Sequence, residues 1–217
     1  MLKAVLFDMD GLIFDTESIY KLSWQYAASE QNLDLSDDFY QQFIGVQDPE
    51  CERILAEYFQ DALDLSRYKQ VRDDHFHRLR SNGIAFKPGF DQLFQDIKRR
   101  GLATAIVTSS HLAEVKHNFA TSGYLPQFDL VITAEDVERG KPYPDCYQMA
   151  CTRLGLTAEE CLVLEDSNNG VKAALAAGCP VVMVPDLVAP SDEVNTEAIV
   201  MNSLEQVVPH LNMLIDQ

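Results

Sequence analysis

The chain has 217 residues, and 34 Asp and Glu against 17 Lys and Arg leave it at a formal charge of −17. That balance argues against a nucleic-acid backbone or an anionic membrane surface as partner, since both attract a basic face. A hydrophobic share of 47% is enough to bury a core and excludes a disordered chain, and no apolar run reaches the ~18 residues of a membrane span.

In chain order, residues 3–7 (KAVLF) form a short apolar run that stops at Asp8-Met9-Asp10-Gly11. This predicts a buried strand and a sharp exit, with glycine supplying the positive φ. The leading MLKAVLFDMDG lacks the apolar stretch and cleavage site of a secretion signal. From Glu17 to about Gly83 the patterning is helical only. Ile19, Leu22 and Tyr26 share one helical face. Cys51, Ile54, Leu55, Tyr58 and Phe59 recur at helical spacing behind Asp48 as N-cap and Pro49 in the first turn. Leu65, Tyr68, Val71 and Leu79 mark a weaker helix, and Lys87-Pro88-Gly89 reads as a hinge.

Beyond the hinge, apolar runs at 102–107, 130–133, 161–164 and 180–184 alternate with helical patterns. Those helices start near Phe90, Leu112, Pro144 and Asn169, and glycines 101, 123, 155 and 178 stop them. Strands that alternate with helices imply right-handed crossovers and a parallel, doubly wound (Rossmann-like) α/β sheet. The all-helical block is then an insertion, giving a core of residues 1–15 and 87–217 and a helical subdomain of 16–86.

Chemistry gathers at the strand ends. Asp8 and Asp10 follow the first strand, Thr108-Ser109-Ser110 the second, and Glu165-Asp166-Ser167 the fourth. Open α/β sheets place their sites at that edge. Turn chemistry alone also accounts for Asp-x-Asp-Gly, but three such clusters at one edge suggest a site. Two carboxylates ~4 Å apart repel by roughly 4 kcal/mol at an effective dielectric near 20, so Asp8, Asp10, Glu165 and Asp166 need a counter-charge. A hard cation with oxygen ligands, Mg²⁺ above all, answers that need. Zinc is disfavoured without a Cys/His cluster, and His75 and His77 read as surface residues. The Thr108–Ser110 turn at a helix start suits a phosphate, with N-capping by Ser110 the plainer reading. Lys141 in Arg139-Gly140-Lys141-Pro142 is either a solvated loop lysine or the cation that neutralises both clusters.

With these motifs in this order, the chain resembles the haloacid dehalogenase superfamily of phosphohydrolases over essentially its whole length. The run LFDMDGLIFDTE and the helical insert after it resemble the branch with a small helical cap, which includes β-phosphoglucomutase and many sugar-phosphate phosphatases. The resemblance implies that Asp8 is a nucleophile forming an aspartyl-phosphate and Asp10 the general acid and base. It implies Mg²⁺ held by Asp8, Asp10 through its backbone carbonyl, and Asp166, with Glu165 close by. Thr108, Ser109 and Lys141 would grip the phosphoryl oxygens, and the helical block would act as a cap. Mutases of this branch carry a histidine where this chain has Tyr20 and an arginine where it has Gln47. Hydrolysis of a small phosphorylated metabolite is therefore ranked ahead of transfer within a hexose. Tyr20, Gln47, Lys69 and Arg72 are the cap residues that would meet substrate, against a solvated helix face as the alternative for Lys69 and Arg72. A signalling receiver domain shares the acids, hydroxyl and lysine, but has no helical insert and no counterpart of Asp10. The five cysteines, odd in number and without C-x-x-C spacing, read as reduced core residues of a cytoplasmic protein, and a monomer without nucleic-acid or membrane partners is expected.

Overall fold

A computed structural model describes residues 1–44, 46 and 48–215. The chain divides into two compact units, Thr16–Ile84 and Met1–Asp15 with Ala85–Gln217. The second boundary falls two residues before the one read from the sequence. Phe86 belongs to the larger unit, where its ring stacks on Phe14 at 5.0 Å and the Asp15 amide bonds the Ala85 carbonyl.

The unit Thr16–Ile84 is helical throughout its described residues: α1 (Thr16–Ser29), α2 (Asp37–Tyr40), α3 (Asp48–Phe59) and α4 (Leu65–Ser81), with short 3₁₀ turns between them. Its core is built on Trp24, Tyr40, Phe43, Leu55 and Tyr68. The buried face of α1 is Ser23, Trp24, Ala27 and Ala28, not the expected Ile19–Leu22–Tyr26 stripe, and Leu22 is 51% exposed. Small residues let α1 lie close to α4, where the Tyr68 hydroxyl donates to the Trp24 carbonyl at 2.6 Å. Hydrophobicity alone therefore named the wrong face.

The larger unit is a six-stranded parallel sheet in the order β3-β2-β1-β4-β5-β6, from β1 (Ala4–Phe7), β2 (Ala103–Val107), β3 (Leu130–Ile132), β4 (Cys161–Glu165), β5 (Val181–Met183) and β6 (Ile199–Val200). β6 was not anticipated, because two exposed residues at a sheet edge leave no period to detect. The helices are α5 (Phe90–Arg99), α6 (Leu112–Asn118), α7 (Asp145–Leu154), α8 (Asn168–Ala177), α9 (Asp192–Glu197) and α10 (Val207–Ile215).

Alternation along each strand sorts the two faces. Ala4 and Leu6 join Val163, Tyr147, Ala150 and Val171 on the face covered by α7 and α8. Phe7 points the other way, into the rings of Phe90, Phe94 and Phe128. Both faces are covered, so the strands are continuously apolar rather than alternating. The same parity carries Asp8 and Glu165 onto the α7–α8 side at the carboxyl edge. All five cysteines are free and buried, and among the described residues no helix is long and apolar enough to cross a membrane.

Candidate active site

β1 continues in register for one residue past its end, with the Asp8 amide bonding the Leu164 carbonyl at 3.0 Å. The chain then turns sharply through Gly11, whose φ of 81° suits glycine. A Cβ at this position would collide with Asp166 Oδ2 and come within 3.2 Å of Asp186 Oδ2. The turn is thus glycine for two reasons, conformation and the room it leaves for acids.

Lys141 is the centre of the arrangement. Its ammonium donates to Asp8 Oδ1 at 2.5 Å, Glu165 Oε1 at 2.6 Å and the Val107 carbonyl at 3.1 Å, and its side chain is only 7% exposed. Burial by itself would lower its pKa, but the carboxylates of Asp8 and Glu165 override that and hold it well above the ordinary lysine value. Of the two readings open for this lysine, the solvated loop residue is ruled out.

Glu165 is held just as firmly. Oε1 accepts from Lys141 and from the Tyr147 hydroxyl at 2.8 Å, while Oε2 accepts from the amides of Asp166 and Ser167 and from the Ser167 hydroxyl. Burial raises its pKa, but Lys141 and these donors bring it below the usual carboxylate range. The first turn of α8 packs directly against this carboxylate, since a Cβ at Gly170 would overlap it.

Asp8 and Asp166 behave differently. Burial pushes Asp8 up to about 7, against the pull of Lys141. Burial, with Asp8 and Glu165 nearby, holds Asp166 well above the ordinary value. Oxygens of Asp8, Glu165 and Asp166 all lie within 4.8 Å of one another. This all-oxygen set, with two carboxylates that resist ionising, fits a hard divalent cation such as Mg²⁺. The carboxylate of Asp10 stands outside the set, accepting from the Ser110 hydroxyl at 2.6 Å, so a side-chain ligand role for Asp10 is not supported. Its backbone carbonyl remains the route by which it would contribute.

A stability test follows with a definite sign. Between about pH 4 and 7 the folded protein keeps a proton on Asp8 that the unfolded chain has lost, so without metal its stability should fall as pH rises through that window. A divalent cation bound by Asp8 would take the place of that proton. Its stabilisation in thermal unfolding should therefore be larger at pH 8 than at pH 5, and a shift independent of pH would count against the site.

The residues expected to grip phosphate also converge. Thr108 is buried, with Oγ1 accepting from the Ser110 amide at 3.0 Å, and Ser109 is exposed. Thr108, Ser109, Gly140 and Lys141 line one pocket of about 150 Å³. Ser110 is not the N-cap of α6. That position is His111, and the Ser110 hydroxyl is committed to Asp10 instead.

The helical unit places its candidates less usefully. Arg72 is 4% exposed, lies over the Trp24 ring at 4.6 Å and pairs with Glu52 at 3.2 Å and Asp73 at 2.8 Å. It is neither on a solvated face nor open to substrate within this unit. Lys69 binds Glu52 at 2.7 Å with nearly half its side chain exposed, and the Tyr20 hydroxyl donates to Asp48. Gln47 lies outside the described residues. His75 stacks on Tyr26 at 4.0 Å and is half-buried rather than on the surface, while His77 is exposed.

Sequence reading missed Tyr147 and Asp186, and it named Ser110 without foreseeing its bond to Asp10. Tyr147 sits in the first turn of α7 with no motif around it. Asp186 had a usable signal, because it follows β5 at the same sheet edge as the other acids.

Comparison with known proteins places the chain in a family. The model of the haloacid dehalogenase-like hydrolase family matches residues 5–184. Hexitol phosphatase A of Escherichia coli (strain K12) is 32% identical over 94% of this chain and 93% of its own length. A phosphorylated carbohydrates phosphatase of Thermotoga maritima is 29% identical over 82% of each chain. The crystal structure of a putative beta-phosphoglucomutase from Thermotoga maritima superposes with a TM-score of 0.84 at 26% identity, covering 98% of this chain and 99% of that one. The chain belongs to the haloacid dehalogenase-like hydrolases, in their phosphoglucomutase-like branch.

Proposed function

We propose that this enzyme is a Mg²⁺-dependent phosphatase of small phosphomonoesters, sugar phosphates foremost, working through an aspartyl-phosphate. The observation that carries the reading is Asp8, a buried carboxylate gripped on one oxygen by Lys141 and set beside Asp166 at the sheet edge. Asp8 attacks phosphorus and Asp10, steadied by Ser110, protonates the leaving oxygen and later takes a proton from water. Thr108, the Ser109 amide and Lys141 hold the phosphoryl oxygens, and charge stabilisation of this kind supplies most of the catalysis in phosphoryl transfer. Asp8, Asp166 and the Asp10 carbonyl would hold the Mg²⁺, which when bound neutralises charge on the transferred group. Glu165, with both oxygens already engaged, serves to fix Lys141 rather than to bind metal. The helical unit is proposed as the cap that excludes water and selects substrate.

The sugar-phosphate class is supported by the names of the two relatives, a hexitol phosphatase and a phosphorylated carbohydrates phosphatase. The likeness to a putative beta-phosphoglucomutase keeps the mutase reading as second. A panel of phosphorylated metabolites, assayed with and without Mg²⁺, separates them. Steady release of inorganic phosphate should dominate and vanish on chelation. Efficient conversion of β-glucose 1-phosphate to glucose 6-phosphate without net release would reverse the order.

A further inference from the structure

Asp186 is an acid with half of its carboxylate unexplained. Its side chain is 8% exposed, and Oδ1 accepts from the Lys87 ammonium at 2.5 Å. Oδ2 is buried without any hydrogen-bond partner among the described residues. A buried anionic oxygen left in this state is costly, and it calls for a donor or a cation. Oδ2 borders the same gap over Gly11 as Asp166 Oδ2: a Cβ built on Gly11 would lie 2.4 Å from Asp166 Oδ2 and 3.2 Å from Asp186 Oδ2. Asp166 joins this pair to Asp8 and Glu165, an oxygen of each of those three lying within 4.8 Å of the others. Their ion-pair partners are Lys141, shared by Asp8 and Glu165, and Lys87, which also lies 3.7 Å from Asp15. On the Asp166–Asp186 side the ion pairs among the described residues are those of Lys87.

We propose that Asp186 is a positioning residue of the cation site: its Oδ2 accepts a hydrogen bond from water carried by the divalent ion, and Lys87 holds the carboxylate in that orientation through Oδ1. The inference rests on the metal site proposed above. Mg²⁺ retains several of its waters when bound by one or two carboxylates, and groups that orient such a shell change metal affinity by roughly 10–100-fold. Lys87 has two opposed effects. It orients Asp186, but its charge also opposes the incoming cation and offsets the Asp186 charge. Charge is the larger effect, because the carboxylate is already confined by burial.

The test is calorimetric titration of Mg²⁺ into the full chain at pH 7.5 without substrate, for the wild type, Asp186→Asn and Lys87→Met. Asp186→Asn should raise the Kd about tenfold, while Lys87→Met should lower it severalfold. A merely structural role would weaken binding in both. The proposal falls if Asp186→Asn binds within twofold of the wild type, or if both variants weaken together. Should Asp186→Asn fail to fold, Lys87→Met decides alone, tighter binding supporting the proposal and unchanged or weaker binding overturning it. A wild type that binds no Mg²⁺ would remove the metal site itself, a failure distinct from the loss of Asp186's role.

Discussion

Asp8→Asn should lower kcat by about 10³-fold or more and leave no phosphorylated intermediate to be trapped by rapid quench and mass spectrometry. An amide of the same shape keeps the position at the end of β1 but is no nucleophile. The fold should survive the change. Lys141 keeps Glu165 at 2.6 Å, and the substitution removes a carboxylate that burial already disfavours, pushing it up to about 7. Unfolding of the metal-free variant at pH 8 should accordingly need no less denaturant than the wild type. Activity within tenfold of the wild type would remove the covalent mechanism, whereas collapse of the fold would show that Asp8 is more deeply structural than its contacts indicate.

Lys141→Met should affect stability and turnover together. The side chain is 7% exposed and bridges Asp8 and Glu165, whose side chains are 10% and 0% exposed. Removing one partner of a buried charge group costs about 3–5 kcal/mol, because the charge left behind has no counter-ion. Glu165 would keep Tyr147 and the Ser167 donors but lose the cation that holds its pKa down. The deficit measured by urea unfolding should therefore shrink as pH is lowered and Glu165 takes up a proton. Turnover should fall by about 10²–10³-fold, the loss typical of removing one stabilising donor from a transition state. An unfolding midpoint equal to that of the wild type at pH 7.5 would show that the bridge carries little, and the reading of Lys141 as central cation would go with it.

Much of the site lies at positions that local chemistry marks. Asp8, Thr108 and Glu165-Asp166 each follow an apolar run, and strands that end in acids or hydroxyls at one sheet edge are conspicuous without any coordinates. Lys141 was harder, since a lysine in a loop has no local pattern, and only the position of that loop reveals the residue as buried. The helical unit was the least legible. Its core uses Ser23, Ala27 and Ala28 at a close α1–α4 approach and buries the Arg72 guanidinium over Trp24, so hydrophobicity and charge misplaced the inner side of α1 and of Arg72, while Cys51 and Leu55 of α3 and Tyr68 of α4 lie inside as their spacing predicts.

The linear order of residues by itself determined the alternation of strands and helices, the insertion after β1, and the acids and hydroxyls at strand ends, because these depend on period, caps and turns within a few neighbours. Only tertiary structure decided the state of each acid. Glu165 is charged and saturated by donors, Asp8 and Asp166 resist ionisation, and Asp186 keeps one oxygen without a partner among the described residues. Desolvation and Coulomb interactions depend on groups far apart along the chain, such as Lys141 against Asp8 and Lys87 against Asp186, and folding alone brings them to within 2.5 Å.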